Sequence, residues 1–123
     1  MSKRALVLGV NGQDGSYCAD LLLEKGYTVH GMVRRSSSYP ANLWRIQDIL
    51  DRITLYSGDL LDHSSVQRIL LEVGPQEIYN FADQDLVGYS YQTPAYSMDV
   101  TAKAVVGLLE MLRGPFSAVR FFQ

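Results

Sequence analysis

Gly9-Val10-Asn11-Gly12-Gln13-Asp14-Gly15 decides the reading of this 123-residue chain. The stretch follows a short β-rich run, residues 5–8 (ALVL). It opens a helical run in which Tyr17, Leu21 and Leu22 share a face before Gly26 stops it. Its spacing, G-x-x-G-x-x-G, is a variant of a dinucleotide fingerprint. One glycine permits a tight turn, another lets backbone approach a diphosphate, and a third lets helix and strand pack closely. The helix N-terminus then turns free N–H groups and a partial positive charge toward the phosphates. The competing reading is a glycine-rich turn without a ligand, and the strand–turn–helix setting weighs against it.

Outward from this loop the same alternation continues. Further strand-like runs occupy residues 28–33, 53–56, 77–81 and 118–122, each about five residues long. Helical spacing relates Leu43, Ile46 and Leu50, and then Val66, Ile69, Leu70 and Val73, with Asp62 as cap and Gly74-Pro75 as stop. A last helix is expected over 94–113; its apolar second half, 104–112, predicts cover on several sides. Strands separated by helices imply parallel pairing with right-handed crossovers. The expected fold class is α/β, a Rossmann-like doubly wound parallel sheet of about five strands with helices on both faces, truncated after the fifth strand. No repeat or linker divides residues 1–123, which read as one domain.

Composition narrows the function classes. Eleven Lys and Arg face 13 Asp and Glu, for a net charge of −2, and 47% of residues are hydrophobic. That balance excludes a disordered chain and argues against a nucleic-acid partner. Apolar runs fall well short of the roughly 18 residues of a membrane span, and the basic start is too short for a signal peptide. A cytoplasmic domain is expected. Cys18 is the sole cysteine, expected in packed core, so no internal disulfide or Cys-based metal site can form. His30 and His63 lack partners at metal spacing, and no metal is expected.

The tip of the second strand bears on the cofactor. An NAD site usually places Asp or Glu about 20 residues past the glycines; here the chain reads Arg34-Arg35-Ser36. Guanidinium forks suit a 2′-phosphate, so NADP is expected over NAD; the competing reading leaves both arginines solvated. Asp59, after the third strand, either accepts from an adenine amino group or serves as a turn or helix-start aspartate. Residues 80–84 come after the fourth strand and are expected beside the diphosphate and nicotinamide ribose.

Residues 9–17 (GVNGQDGSY), 22–27 (LLEKGY), 29–38 (VHGMVRRSSS), 58–60 (GDL), 77–80 (EIYN) and 119–123 (VRFFQ) closely resemble the GDP-mannose 4,6-dehydratase family. That family belongs to the epimerase/dehydratase group of extended short-chain dehydrogenases/reductases. The resemblance implies conversion of GDP-mannose to a 4-keto-6-deoxy sugar nucleotide plus water, with tightly held NADP as internal hydride carrier. Carried over by position, Gly9, Val10, Asn11, Gly12, Gln13, Asp14 and Gly15 would hold the diphosphate. Arg34, Arg35, Ser36 and Ser37 would hold the 2′-phosphate, and Asp59 and Leu60 would frame the adenine. Phe81, Ala82, Asp83, Gln84 and Asp85 would line the middle of the cofactor, with Tyr96 reaching it from the last helix.

The family's Tyr-x-x-x-Lys pair and its Ser/Thr and Glu are absent: none of the eight tyrosines has Lys four residues on. No residue is therefore assigned as catalytic, and the chain reads as the N-terminal part of a longer enzyme whose GDP-sugar domain comes after it. The family carries a small residue at position 83. A carboxylate there repels phosphate unless it is protonated or turned away. A homo-oligomer is expected, from the fifth strand as an edge and from the family's use of the last helix. The alternatives are a non-catalytic nucleotide-binding remnant or regulatory module, and a related NAD(P)-dependent sugar-nucleotide epimerase or reductase.

Overall fold

The computed structural model describes residues 2–123. Five parallel strands run β1 (Arg4–Leu8), β2 (Thr28–Val33), β3 (Ile53–Ser57), β4 (Glu77–Asn80) and β5 (Arg120–Phe122), in the order β3-β2-β1-β4-β5. Leu6 pairs with His30 on one side and Ile78 on the other, so β1 lies at the centre. Its side chains alternate between two cores, as a strand's period of two requires. Leu6 and Leu8 join Ile69, Leu70, Ile78 and Leu108 on one face, whereas Ala5 and Val7 join Val10, Ala19, Leu22 and Ile46 on the other.

The helices are α1 (Gln13–Glu24), a 3-10 helix (Ala41–Ile49), α2 (His63–Val73), α3 (Val87–Gln92), α4 (Pro94–Met98) and α5 (Ala104–Leu112), with a π-turn (Asp99–Lys103) joining the last two. Helix α2 is as expected: the Asp62 side chain accepts from the Ser65 amide, and Val66, Ile69, Leu70 and Val73 are buried. Burying Ile69 completely contributes about 1.5–3 kcal/mol relative to leaving it in water.

Three expected faces differ. In α1 the buried stripe is Gly15, Ala19 and Leu22, with Ser16 beside it; Tyr17 and Leu21 are exposed. Gly15 must touch the loop after β1, and positions four and seven residues on turn inward with it. In the 3-10 helix Leu43, Ile46 and Ile49 are buried, not Leu50, because three residues per turn replaces 3.6. The last helix contains a π-turn, and α3 precedes it without having been foreseen. Its apolar second half is covered along one stripe only, Ala104, Leu108 and Leu112, whereas Val106 and Leu109 are exposed. Cys18 is half-buried rather than packed core, and burial pushes its thiol up.

At the amino ends of the strands, Glu77 is buried. It accepts from Tyr79 Oη at 2.8 Å and Tyr27 Oη at 3.3 Å, with Lys3 Nζ at 3.6 Å. Burial pushes its carboxyl up, but these bonds and the Lys3 charge outweigh it and hold the group below its ordinary value. The Tyr79 phenol, buried and donating to a carboxylate, is pushed up to about 12. A depressed carboxyl stabilises the fold above its unfolded value of about 4.3, and that contribution is lost as pH falls through the lower folded value. E77Q is expected to lower stability at neutral pH by about 1–3 kcal/mol, the cost of unmaking hydrogen bonds to a buried charge. It should also flatten the acid limb of stability against pH, read by urea unfolding across pH. An unchanged acid limb would refute the assignment.

Candidate functional site

A cavity of about 680 Å³ opens at the carboxyl ends of the strands. Sheets of this kind bind ligands where the strand order reverses, here between β1 and β4. The size suits a small-molecule site. The lining comes from the segment just past each strand: Gly9, Asn11 and Gly12 after β1, Arg34 and Ser36 after β2, residues 58–60 after β3 and residues 81–86 after β4.

Close packing shapes the glycine loop. Gly9 has φ of +74°, in the left-handed region, and a Cβ there would lie 2.9 Å from the Phe81 carbonyl and the Ala82 nitrogen. A Cβ on Gly15 would lie 2.2 Å from the Gly9 carbonyl oxygen. The Gly9 amide donates to the Met32 carbonyl at 3.0 Å, and the Gly12 amide to the Gly9 carbonyl at 3.0 Å. Helix α1 begins at Gln13 with Gly12 as its cap residue, so no side chain satisfies the first amides. An uncapped helix start behind a glycine-rich loop is the local arrangement an anion uses.

The rest of the cavity wall is polar, with Arg34 its one cation among the described residues, beside Asp59, Asp83 and Asp85. Arg34 lines it and donates through Nη1 to the Tyr96 hydroxyl, spanning from the β2 tip to α4. Arg35 takes another course, with its guanidinium 4.8 Å above the Tyr39 ring, and it is not part of the wall. Ser36 lines the cavity and Ser37 does not. Asp59 lines it while its Oδ1 accepts from the Leu61 amide at 2.9 Å, so it is a turn aspartate with one oxygen committed. Leu60 is buried and forms the apolar floor beside it. Val10, Gln13, Asp14 and Gly15 do not line the cavity: Val10 is wholly buried in the core below the loop, and Gly15 is buried against the Gly9 carbonyl. Phe81, Ala82, Asp83, Gln84, Asp85 and Tyr96 all line it.

Asn42 was not foreseen. It lines the cavity from the 3-10 helix, and its carbonyl accepts from Asn11 Nδ2 at 3.2 Å, tying that helix to the glycine loop. No sequence spacing marks it, because it comes after a loop of irregular backbone. Among the described residues, no group of three His, Cys, Asp or Glu converges as a metal site, and no helix is long and apolar enough to cross a membrane.

A five-stranded parallel sheet with a glycine loop at its switch point defines a Rossmann-type α/β domain. Within that class the chain belongs to the GDP-mannose 4,6-dehydratase family: the family's sequence model, described as GDP-mannose 4,6 dehydratase, matches residues 6–123. It is 44% identical over 132 residues to the GDP-mannose 4,6-dehydratase of Vibrio cholerae, covering 100% of this chain and 35% of that protein. The chain thus spans about a third of the length of the relatives it matches. Among solved structures, UDP-glucose 4-epimerase of Thermotoga maritima, with UDP-glucose, aligns with a TM-score of 0.75 at 28% identity, covering 89% of this chain and 33% of that one. The Thermus thermophilus UDP-glucose 4-epimerase, in complex with NAD, aligns with a TM-score of 0.76 at 26% identity, over 89% of this chain and 33% of that one.

Proposed function

We propose that this chain is the cofactor-binding portion of a nucleotide-sugar 4,6-dehydratase, and that it holds NADP in the cavity at the carboxyl ends of β1, β2 and β4. The observation that carries the reading is the uncapped start of α1, set behind a loop whose Gly9 and Gly15 leave no room for a Cβ. Backbone amides there would take the diphosphate. Arg34 and Ser36 at the β2 tip would take the 2′-phosphate, where no carboxylate stands to repel it. Leu60 and Asp59 would flank the adenine, and Tyr96 would hold Arg34 in place. Bound in this cavity, the dinucleotide supplies a reversible hydride acceptor; this chain's own residues bind and orient it. In the whole protein the sugar nucleotide would be GDP-mannose, as the family's name indicates.

Calorimetric titration of the chain with each dinucleotide tests this. NADP is expected to bind at least about tenfold more tightly than NAD, the worth of one charge-assisted contact. Equal or tighter binding of NAD would overturn the choice of cofactor, and no saturable binding of either would overturn the site. Product analysis of the whole protein with GDP-mannose tests the dehydratase reading: a 4-keto-6-deoxy product supports it, and an epimer or reduced sugar overturns it.

A further inference from the structure

The segment 81–86 forms one wall of the cavity. Its backbone abuts the glycine loop closely enough that a Cβ on Gly9 would lie 2.9 Å from the Phe81 carbonyl. One residue beyond Ala82 stands Asp83, an exposed carboxylate in a wall that faces a loop suited to an anion. Its Oδ1 is held twice, accepting from the Gln84 amide at 2.7 Å and from Thr101 Oγ1 at 2.5 Å. Thr101 is 18 residues further on, inside the π-turn. Gln84 is pinned to the preceding turn of the same helix: its Nε2 donates to Ser97 Oγ at 2.9 Å, and Ser97 Oγ in turn donates to the Thr93 carbonyl at 2.9 Å. The wall is therefore stitched to successive helical turns by two side-chain bonds, and the π-turn carries one of them. Such turns interrupt regular helix hydrogen bonding and concentrate at functional sites.

We propose that Thr101 is a positioning residue of the dinucleotide site: its hydroxyl holds the Asp83 carboxylate in a fixed place in the wall, away from the diphosphate. The inference rests on the dinucleotide reading above. With the Thr101 hydroxyl removed, only the adjacent Gln84 amide restrains the carboxylate, and its excursions toward the glycine loop oppose a doubly charged ligand in a partly shielded crevice. Thr101 acts through Asp83 and touches no ligand itself.

The test uses the whole 123-residue chain and four variants: T101V, which keeps shape without the hydroxyl, T101S, which keeps the hydroxyl, D83N, and D83N/T101V. NADP titrations at low and high salt supply one readout. Hydrogen exchange of the Gln84 and Leu86 amides without ligand supplies the other. T101V is expected to bind NADP about fivefold more weakly at low salt, with the penalty shrinking at high salt as exposed charges are screened. T101S should restore binding to within about twofold, and T101V should cost nothing further in the D83N background, since a cycle isolates the pair. The Gln84 amide should exchange faster in T101V than in the unsubstituted chain. Unchanged affinity and exchange in T101V, or the same penalty with and without the Asp83 carboxylate, would overturn the role of Thr101 while leaving the dinucleotide reading intact. Faster exchange in T101V together with an unsubstituted chain that binds no dinucleotide would overturn the dinucleotide reading itself, and the role of Thr101 with it.

Discussion

G15A is expected to abolish measurable NADP binding and to lower the unfolding free energy by about 2–4 kcal/mol, in the range of severe overpacking against backbone. The added Cβ would lie 2.2 Å from the Gly9 carbonyl oxygen and 3.0 Å from the Val10 Cα. Neither atom belongs to a flexible side chain. The first turn of α1 would have to move away from β1, and the loop that presents amides to the cavity would move with it. G12A is the informative control. Its Cβ meets only the Gly9 carbonyl oxygen, at 3.3 Å, and its φ of −79° is open to any residue. Alanine there should cost less than about 1 kcal/mol and weaken binding modestly. Urea unfolding and NADP titration of both variants check the pair, and equal effects at the two positions would refute the close-approach argument.

R34A is expected to weaken NADP binding by about 10- to 150-fold while changing NAD affinity little. The range comes from about 1.5–3 kcal/mol for hydrogen bonds between charged partners, at tenfold per 1.4 kcal/mol. Arg34 lines the cavity, and Tyr96 accepts from one of its nitrogens, which reduces the side-chain entropy lost on binding. Arg35 lies over the Tyr39 ring outside the wall. R35A should therefore shift NADP affinity by less than about threefold, the long-range effect of one screened charge. Equal losses for NADP and NAD in R34A would mean that Arg34 holds the shared diphosphate instead. A dominant effect of R35A would mean that the stacked arginine swings in on binding.

Much of this architecture was legible beforehand, for identifiable reasons. Asp62, Gly74 and the apolar quartet of α2 are local signals, and each element they specify formed as expected. Parallel pairing was legible because strands separated by helices need crossover connections, and every strand pair of the sheet is parallel. The candidate site was legible where the backbone makes it, at Gly9, Gly12 and Gly15, because only glycine fits the closest of those approaches. It was less legible where side chains choose among neighbours. Arg34 and Arg35 are adjacent and chemically alike, yet one lines the cavity and the other stacks on Tyr39. That choice depends on Tyr96 of α4, 62 residues beyond Arg34, whose hydroxyl accepts from it, while Arg35 stacks within its own loop.

The helix faces show the same division. Tyr17 and Leu21 are apolar at helical spacing, but the close seat of Gly15 on the loop sets the rotation of α1 and turns them outward. Thr101 carries no motif; its contact with Asp83 exists because a π-turn lies opposite the β4 loop. The amino-acid order alone determined the alternating elements, their parallel pairing and a glycine-rich bend after the first strand, since these arise from periodicity, steric freedom and chain chirality. Tertiary structure decided which of two equivalent arginines enters the crevice, which face of α1 is buried and what restrains the Asp83 carboxylate of the wall, since each depends on atoms distant along the chain that meet only when it folds.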